Sequence, residues 1–222
     1  MAKTKENDNR LIGLSVKAVF FDFDDTLVAT FEAKKAEHKY IAKTHYNKDL
    51  SDEEILKHWG IPYSKMIQIF YETTDVERAI QHNLKNHSKF PKVLYKETIN
   101  TLRHLKNSGK IIGVVTSATS FQFYHDIDML GVPRELFDYV QTEEDSQFHK
   151  PDPKVFDPPL KWLKTKGIKP EEVLYVGDGI RDMEAALGAG LEFLGVTTGL
   201  ITHEQFKEKG VRSIKGLGEL KT

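Results

Sequence analysis

The run at residues 16–27, VKAVFFDFDDTL, constrains this chain more than any other stretch. Its β-branched and aromatic residues read as a buried strand, which drives straight into Asp22, Asp24 and Asp25 and then Thr26. Side chains alternate across a strand, so Asp22 and Asp24 leave its end on the same side. Two carboxylates about 4 Å apart repel by about 1 kcal/mol in water and by about 4 kcal/mol at an effective dielectric near 20. A buried strand that ends this way has a cation or a proton to place between them.

Past Pro91 the chain settles into a repeated order of helix, glycine and apolar strand. A helix with Ile99, Leu102 and Leu105 inward ends at Gly109, and a strand over 110–116 follows. A helix around 124–130 ends at Gly131, before a strand over 137–141. The next helix carries Leu160, Trp162 and Leu163, restarts at Pro158 and ends at Gly167, before a strand over 173–176. A short helix through Met183, Ala186 and Leu187 closes near Gly188 or Gly190, and a last strand covers 191–196. This is the grammar of an α/β fold: a Rossmann-like parallel sheet sandwiched by helices.

Residues 30–96 interrupt that order with helical spacing alone. A helix spans Phe31–Tyr46, Ser51 and Glu54 form a capping box for a second, and Pro62 opens a third running to about Tyr71. Thr74 or Asp75 caps a fourth, with Val76, Ala79, Ile80 and Leu84 inward. The expected division is a core of residues 11–29 and 97–222, an inserted α-helical domain of 30–96, and a polar tail over the first ten residues. The insert's histidines, His38, His45, His58, His82 and His87, read as scattered over helix surfaces, and its lysines as solvated faces.

Composition removes several classes of function. With no cysteine in 222 residues there are no disulfides, no thiolate chemistry and no cysteine-ligated zinc. A net charge of −1 gives no global pull toward nucleic acid. No apolar run approaches the roughly 18 residues of a membrane span, and no apolar stretch follows the polar start as a secretion leader requires. The expectation is a cytoplasmic protein with no nucleic-acid or membrane partner, monomer or homodimer.

In open parallel sheets ligands bind beyond the carboxyl ends of the strands. The ends here carry Asp22, Asp24 and Thr26; Thr116 and Ser117; Lys150 between strands in Lys-Pro-Asp-Pro; and Gly177-Asp178, with Asp182 four residues on. Carboxylates, hydroxyls and a lysine at one sheet edge suit a metal-bound phosphate. Gly177-x-Gly179 is no dinucleotide fingerprint, because Asp182 follows where a third glycine belongs.

These four motifs, in this order, resemble the haloacid dehalogenase-like hydrolase superfamily, and within it the phosphoglycolate phosphatase-like members. The helical insert after the first motif looks like that family's α-helical cap. The resemblance implies a magnesium-dependent phosphatase acting on a small phosphorylated metabolite. It implies Asp22 as the nucleophile that becomes an aspartyl-phosphate, and Asp24 as general acid and then base. Thr116, with Ser117, would hydrogen-bond a phosphoryl oxygen, and Lys150 would offset charge on Asp22 and the phosphoryl group. Mg2+ would be bound by Asp22, the main-chain carbonyl of Asp24, Asp178 and, directly or through water, Asp182. Thr26 shapes its loop, and Asp25 is read as solvated. A phosphomutase on the same phospho-aspartate is the alternative, weakened by the lack of a cation in Ser117-Ala118-Thr119. A phospho-accepting signalling module is a third reading, weakened because Asp22 and Asp24 share one strand end.

Overall fold

A computed structural model describes residues 12–220 apart from Leu14, Gly60 and Pro62. The polar tail and the helix-opening role of Pro62 lie outside the described residues. The chain divides into two compact units, one made of the residues up to Ala29 together with those from Leu94 onward, the other Thr30–Val93.

In the larger unit six strands form one parallel sheet: β1 (Ala18–Phe21), β4 (Ile111–Val115), β5 (Tyr139–Gln141), β6 (Val173–Gly177), β7 (Glu192–Val196) and β8 (Ser213–Ile214). Two-residue strand β2 (Val28–Ala29) precedes the smaller unit in the chain, and β3 (Val93–Leu94) spans its last residue and the first one after it. The sheet order is β5-β4-β1-β6-β7-β8, so the direction of winding reverses between β1 and β6. A doubly wound sheet opens its ligand crevice at that reversal.

Helices α5 (Thr98–Asn107) and α6 (Ser120–Met129) cover one face, where Val19, Phe21, Leu102, Val114, Phe123 and Val176 pack together. On the other face α7 (Asp157–Lys164), α8 (Ile180–Gly188) and α9 (His203–Glu208) pack on Ala18, Phe20, Tyr175 and Phe193. Alternation along β1 then aims Asp22 at the Tyr175 side. Gly109 and Gly131 end α5 and α6 at φ +77° and +66°, as expected of left-handed caps. Helix α6 starts earlier than its apolar spacing suggests, because Thr119 accepts from Gln122 N and the Gln122 side chain accepts from Thr119 N. Helix α9 and strands β2, β3 and β8 carry too little periodic pattern to be expected.

The smaller unit holds α1 (Phe31–Tyr46), α2 (Asp52–His58), α3 (Tyr63–Tyr71) and α4 (Val76–Asn86) around Ile41, Ile55, Ile67, Phe70 and Tyr71. Ser51 caps α2 through Glu54 N, but the Glu54 carboxylate takes Lys48 rather than closing the box. Asp75, not Thr74, caps α4. Leu84 is exposed rather than inward; α4 buries Ala79, Asn83 and Asn86 instead. The reason is polar. Tyr71 donates to Asn83 Oδ1 at 3.1 Å while the Asn83 amide donates to Ala79 O at 2.9 Å. His38 belongs to the same chain: it is buried, not on a surface, with Nδ1 2.6 Å from the Tyr71 oxygen. Tyr71 spends its proton on Asn83, so Nδ1 carries the shared hydrogen. Burial first, then Lys34, pushes the His38 imidazole down to about 3. Among the lysines, Lys34 is tucked against Glu37 at 2.6 Å rather than solvated.

Candidate active site

Register alone brings the motif residues together. Phe21 lies opposite Val114 on one side and Val176 on the other. Asp22 follows Phe21 directly, Thr116 stands two residues beyond Val114, and Asp178 two beyond Val176. With neighbouring strands about 4.8 Å apart, these three leave one edge of the sheet side by side. Asp22, Asp178 and Asp182 each offer a carboxylate oxygen within 4.8 Å of the others.

Lys150 reaches this cluster from the loop after β5. Its Nζ donates to Asp22 Oδ1 at 2.8 Å, to Asp182 Oδ1 at 2.6 Å and to the Tyr175 hydroxyl oxygen at 3.0 Å. An ammonium has three protons, and these three acceptors take them all. Lys150 and Asp182 are each 5% exposed and Asp22 9%. Arg181, in the first turn of α8, donates Nε to the Lys150 carbonyl oxygen at 2.9 Å and so fixes the lysine's backbone.

The two glycines flanking Asp178 serve Asp182. A Cβ at Gly177 would stand 2.7 Å from the Asp182 Cβ, and Gly179 N donates to Asp182 Oδ2 at 3.0 Å. Both Asp182 oxygens thus have protein donors, one main-chain and one from Lys150. Thr26 is buried and donates to Asp178 Oδ1 at 3.4 Å. Asp25 is not solvated: it is 7% exposed at φ +52°, and its carbonyl accepts from the Thr198 hydroxyl. Thr116 is buried, its hydroxyl oxygen accepting from Ala118 N at 3.0 Å, and Ser117 is exposed beside it. Asp24 is partly exposed.

Three carboxylates face one ammonium, which leaves an excess of negative charge in a buried place. Burial, then Asp182 and Asp24, push Asp22 up to about 7 against the pull of Lys150. Burial, then Asp182, Asp22 and Asp25, hold Asp178 well above the usual carboxylate range. Burial opposes the charge on Lys150, but Asp182 and Asp22 outweigh it and keep the ammonium firmly protonated. Convergent hard oxygen donors with surplus negative charge fit a divalent cation such as Mg2+.

Tyr175 was not expected here. It is fully buried in β6, and besides accepting from Lys150 it donates to Val115 O at 2.7 Å, the carbonyl just before Thr116. Its one sequence signal is a phenol inside a strand buried on both faces, where the hydroxyl needs a partner. Thr198 and Gly199, in the loop after β7, were missed as well.

Residues 19–196 match the family model described as haloacid dehalogenase-like hydrolase. The chain belongs to this family. It is 30% identical over 184 residues to the pyrophosphatase PpaX of Bacillus velezensis, covering 82% of this chain and 83% of that one. It is 28% identical over 205 residues to the glyceraldehyde 3-phosphate phosphatase of Methanopyrus kandleri, covering 83% and 85%. In fold it resembles a predicted phosphoglycolate phosphatase of Haemophilus somnus 129pt, with TM-score 0.79 at 22% identity over 94% of this chain and 98% of that one. The chain is thus a haloacid dehalogenase-like hydrolase, and the relatives it matches are a pyrophosphatase and a phosphatase. Among the described residues no helix is long and apolar enough to cross a membrane.

Proposed function

We propose that the chain hydrolyses a small phosphomonoester through an aspartyl-phosphate on Asp22, with Mg2+ as cofactor. The observation that carries this reading is Lys150, whose buried ammonium lies 2.8 Å from Asp22 Oδ1 inside a group of three carboxylates. A carboxylate oxygen held against a fixed cation, at the reversal point of a parallel sheet, is suited to meet a phosphoryl group.

In the first step an Asp22 oxygen attacks phosphorus and the bond to the leaving oxygen breaks, while Asp24 gives that oxygen a proton. In the second, Asp24 takes a proton from water, whose oxygen attacks phosphorus and frees Asp22 and inorganic phosphate. Thr116 and Ser117 hydrogen-bond the phosphoryl oxygens, and Lys150 balances their charge in a water-poor setting. The Asp22 and Asp178 carboxylates and the Asp24 carbonyl, with Asp182 behind them, would hold Mg2+, which when bound would supply positive charge to offset that of the phosphoryl group. Asp182 acts chiefly through Lys150, since one of its oxygens is spent there.

Inorganic pyrophosphate is the second candidate substrate, favoured by the relationship to PpaX proteins. Either substrate would be met in the cytoplasm. The test is phosphate release from p-nitrophenyl phosphate, from a panel of phosphorylated metabolites and from pyrophosphate. Turnover with Mg2+ that disappears in Asp22→Asn and on chelation supports the mechanism. Full activity in either condition overturns it, and sugar-phosphate isomerisation without phosphate release would mark a mutase instead.

A further inference from the structure

The loop after β7 lies against the Asp178 carboxylate, and it does so because residue 199 has no side chain. A Cβ built on Gly199 would overlap Asp178 Oδ2 outright and stand 2.7 Å from Cγ and 2.9 Å from Cβ. Gly199 does not occupy the left-handed region, so its backbone suits any residue and only the missing volume matters. The loop is tied down on both sides of this contact. Thr197 N donates to Ile214 O at 2.9 Å, and the Thr198 hydroxyl donates to Asp25 O. Tyr95 donates its hydroxyl to Thr198 O at 3.3 Å. A loop held at these points cannot retreat cheaply. On the other side Thr26 donates to Asp178 Oδ1 at 3.4 Å.

We infer that Gly199, carried by the loop over 197–200, is a positioning residue that sets the orientation of Asp178 for a divalent cation. The Asp178 carboxylate is confined between the Thr26 hydroxyl and the Gly199 backbone, one oxygen against each, while one of them stays within 4.8 Å of the Asp22 and Asp182 oxygens; a side chain at 199 would take the space Oδ2 fills and force the carboxylate to rotate. Thr198 contributes by tying that loop through its hydroxyl to the Asp25 carbonyl of the first motif. The inference rests on the metal reading above, and the experiment separates the two.

Isothermal titration with MgCl2 is carried out on the full chain as wild type, Gly199→Ala, Thr198→Val and Asp178→Asn, with the metal-free thermal midpoint of each measured alongside. Groups that orient a metal ligand are worth about 10–100-fold in metal affinity. Gly199→Ala should therefore bind Mg2+ at least tenfold more weakly and lose the Mg2+-induced rise in midpoint, with the far-UV spectrum of the metal-free protein unchanged. Thr198→Val adds no volume and should weaken binding several-fold, which keeps the inference testable should Gly199→Ala fail to fold. Wild-type affinity in a folded Gly199→Ala, or in Thr198→Val should that be the only folded variant, overturns the role of the loop. Wild-type protein that binds no Mg2+, or Asp178→Asn that binds it as well as wild type, overturns the metal reading itself.

Discussion

Replacing Tyr175 with phenylalanine removes one oxygen from the middle of the site and leaves the ring in place. That oxygen accepts from Lys150 Nζ at 3.0 Å and donates to Val115 O at 2.7 Å. Tyr175 is fully buried and Lys150 5% exposed, so neither broken bond is replaced by one to bulk water. A hydrogen bond to a charged group contributes about 1.5–3 kcal/mol and a neutral one about 0.5–1.5 kcal/mol. Together they set the loss at about 2–4.5 kcal/mol, a fall of roughly 4–18 °C in midpoint for a chain of this size. Packing is conserved, because the ring keeps its edge-on contact with Phe156 at 4.8 Å. Turnover should fall with stability for a separate reason: an ammonium that has lost its neutral acceptor is drawn toward Asp182 and away from the line between Asp22 and the substrate. Thermal unfolding and steady-state p-nitrophenyl phosphate hydrolysis with Mg2+, run on the same preparations, read both effects, with kcat affected more than KM. Wild-type midpoint and kcat in Tyr175→Phe would refute the bridging role.

Two further outcomes are independent of catalysis. His38 is neutral when folded, with a pKa near 3 against about 6.5 unfolded, so its contribution is complete above pH 6.5 and is lost as pH falls toward 3. By pH 5 the loss is about 2 kcal/mol, and urea midpoints at pH 7.5 and 5 should converge in His38→Gln; an unchanged pH dependence in that variant would contradict the assignment. Gly195→Ala places a Cβ 2.7 Å from the Phe206 ring and should cost about 1–3 kcal/mol of stability by overpacking. Mg2+ affinity should stay unchanged, so a coupled loss there would show that β7 rather than residue 199 controls Asp178.

Much of this architecture is legible in the primary structure because buried parallel strands write themselves as unbroken apolar runs. Each such run ends where chemistry begins, so Asp22, Thr116 and Asp178 are marked by the punctuation of their own strands. Lys150 is legible through the prolines around it. Tyr175 is not: a tyrosine among Val173, Leu174 and Val176 looks like core, and its partner Val115 is a neighbour only once β1 is known to lie between β4 and β6. Asp25 looks solvated beside the two aspartates of the proposed site, yet its carbonyl meets Thr198, 173 residues away in sequence. His38 and Leu84 mislead for a shared reason. Hydrophobic spacing ranks residues by side-chain type, whereas α4 turns inward the face whose Asn83 completes a hydrogen bond with Tyr71. Gly199 resembles any turn glycine; its meaning lies in the space that Asp178 fills.

The division of labour between strands and loops has a physical reason. Asp22 follows β1 and Asp178 follows β6, where ladder hydrogen bonds hold the backbone and a short side chain cannot wander. Lys150 has a four-carbon stem on a loop, so its head must be fixed by its own bonds, and the three acceptors around Nζ remove its remaining freedom. Those acceptors differ in what the proposed reaction does to them. Asp182 and Tyr175 are unchanged throughout, whereas Asp22 loses its charge when its oxygen becomes bonded to phosphorus. The charge lost there appears on Asp24, which has given its proton to the leaving oxygen, while the phosphoryl oxygens keep their own, and the ammonium, still anchored by Asp182 and Tyr175, is free on its third side to turn toward them. A lysine bound by carboxylates alone would be pulled equally wherever charge remained. The neutral phenol makes the change at Asp22 decisive, which is the sense in which a residue outside every catalytic motif belongs to the mechanism.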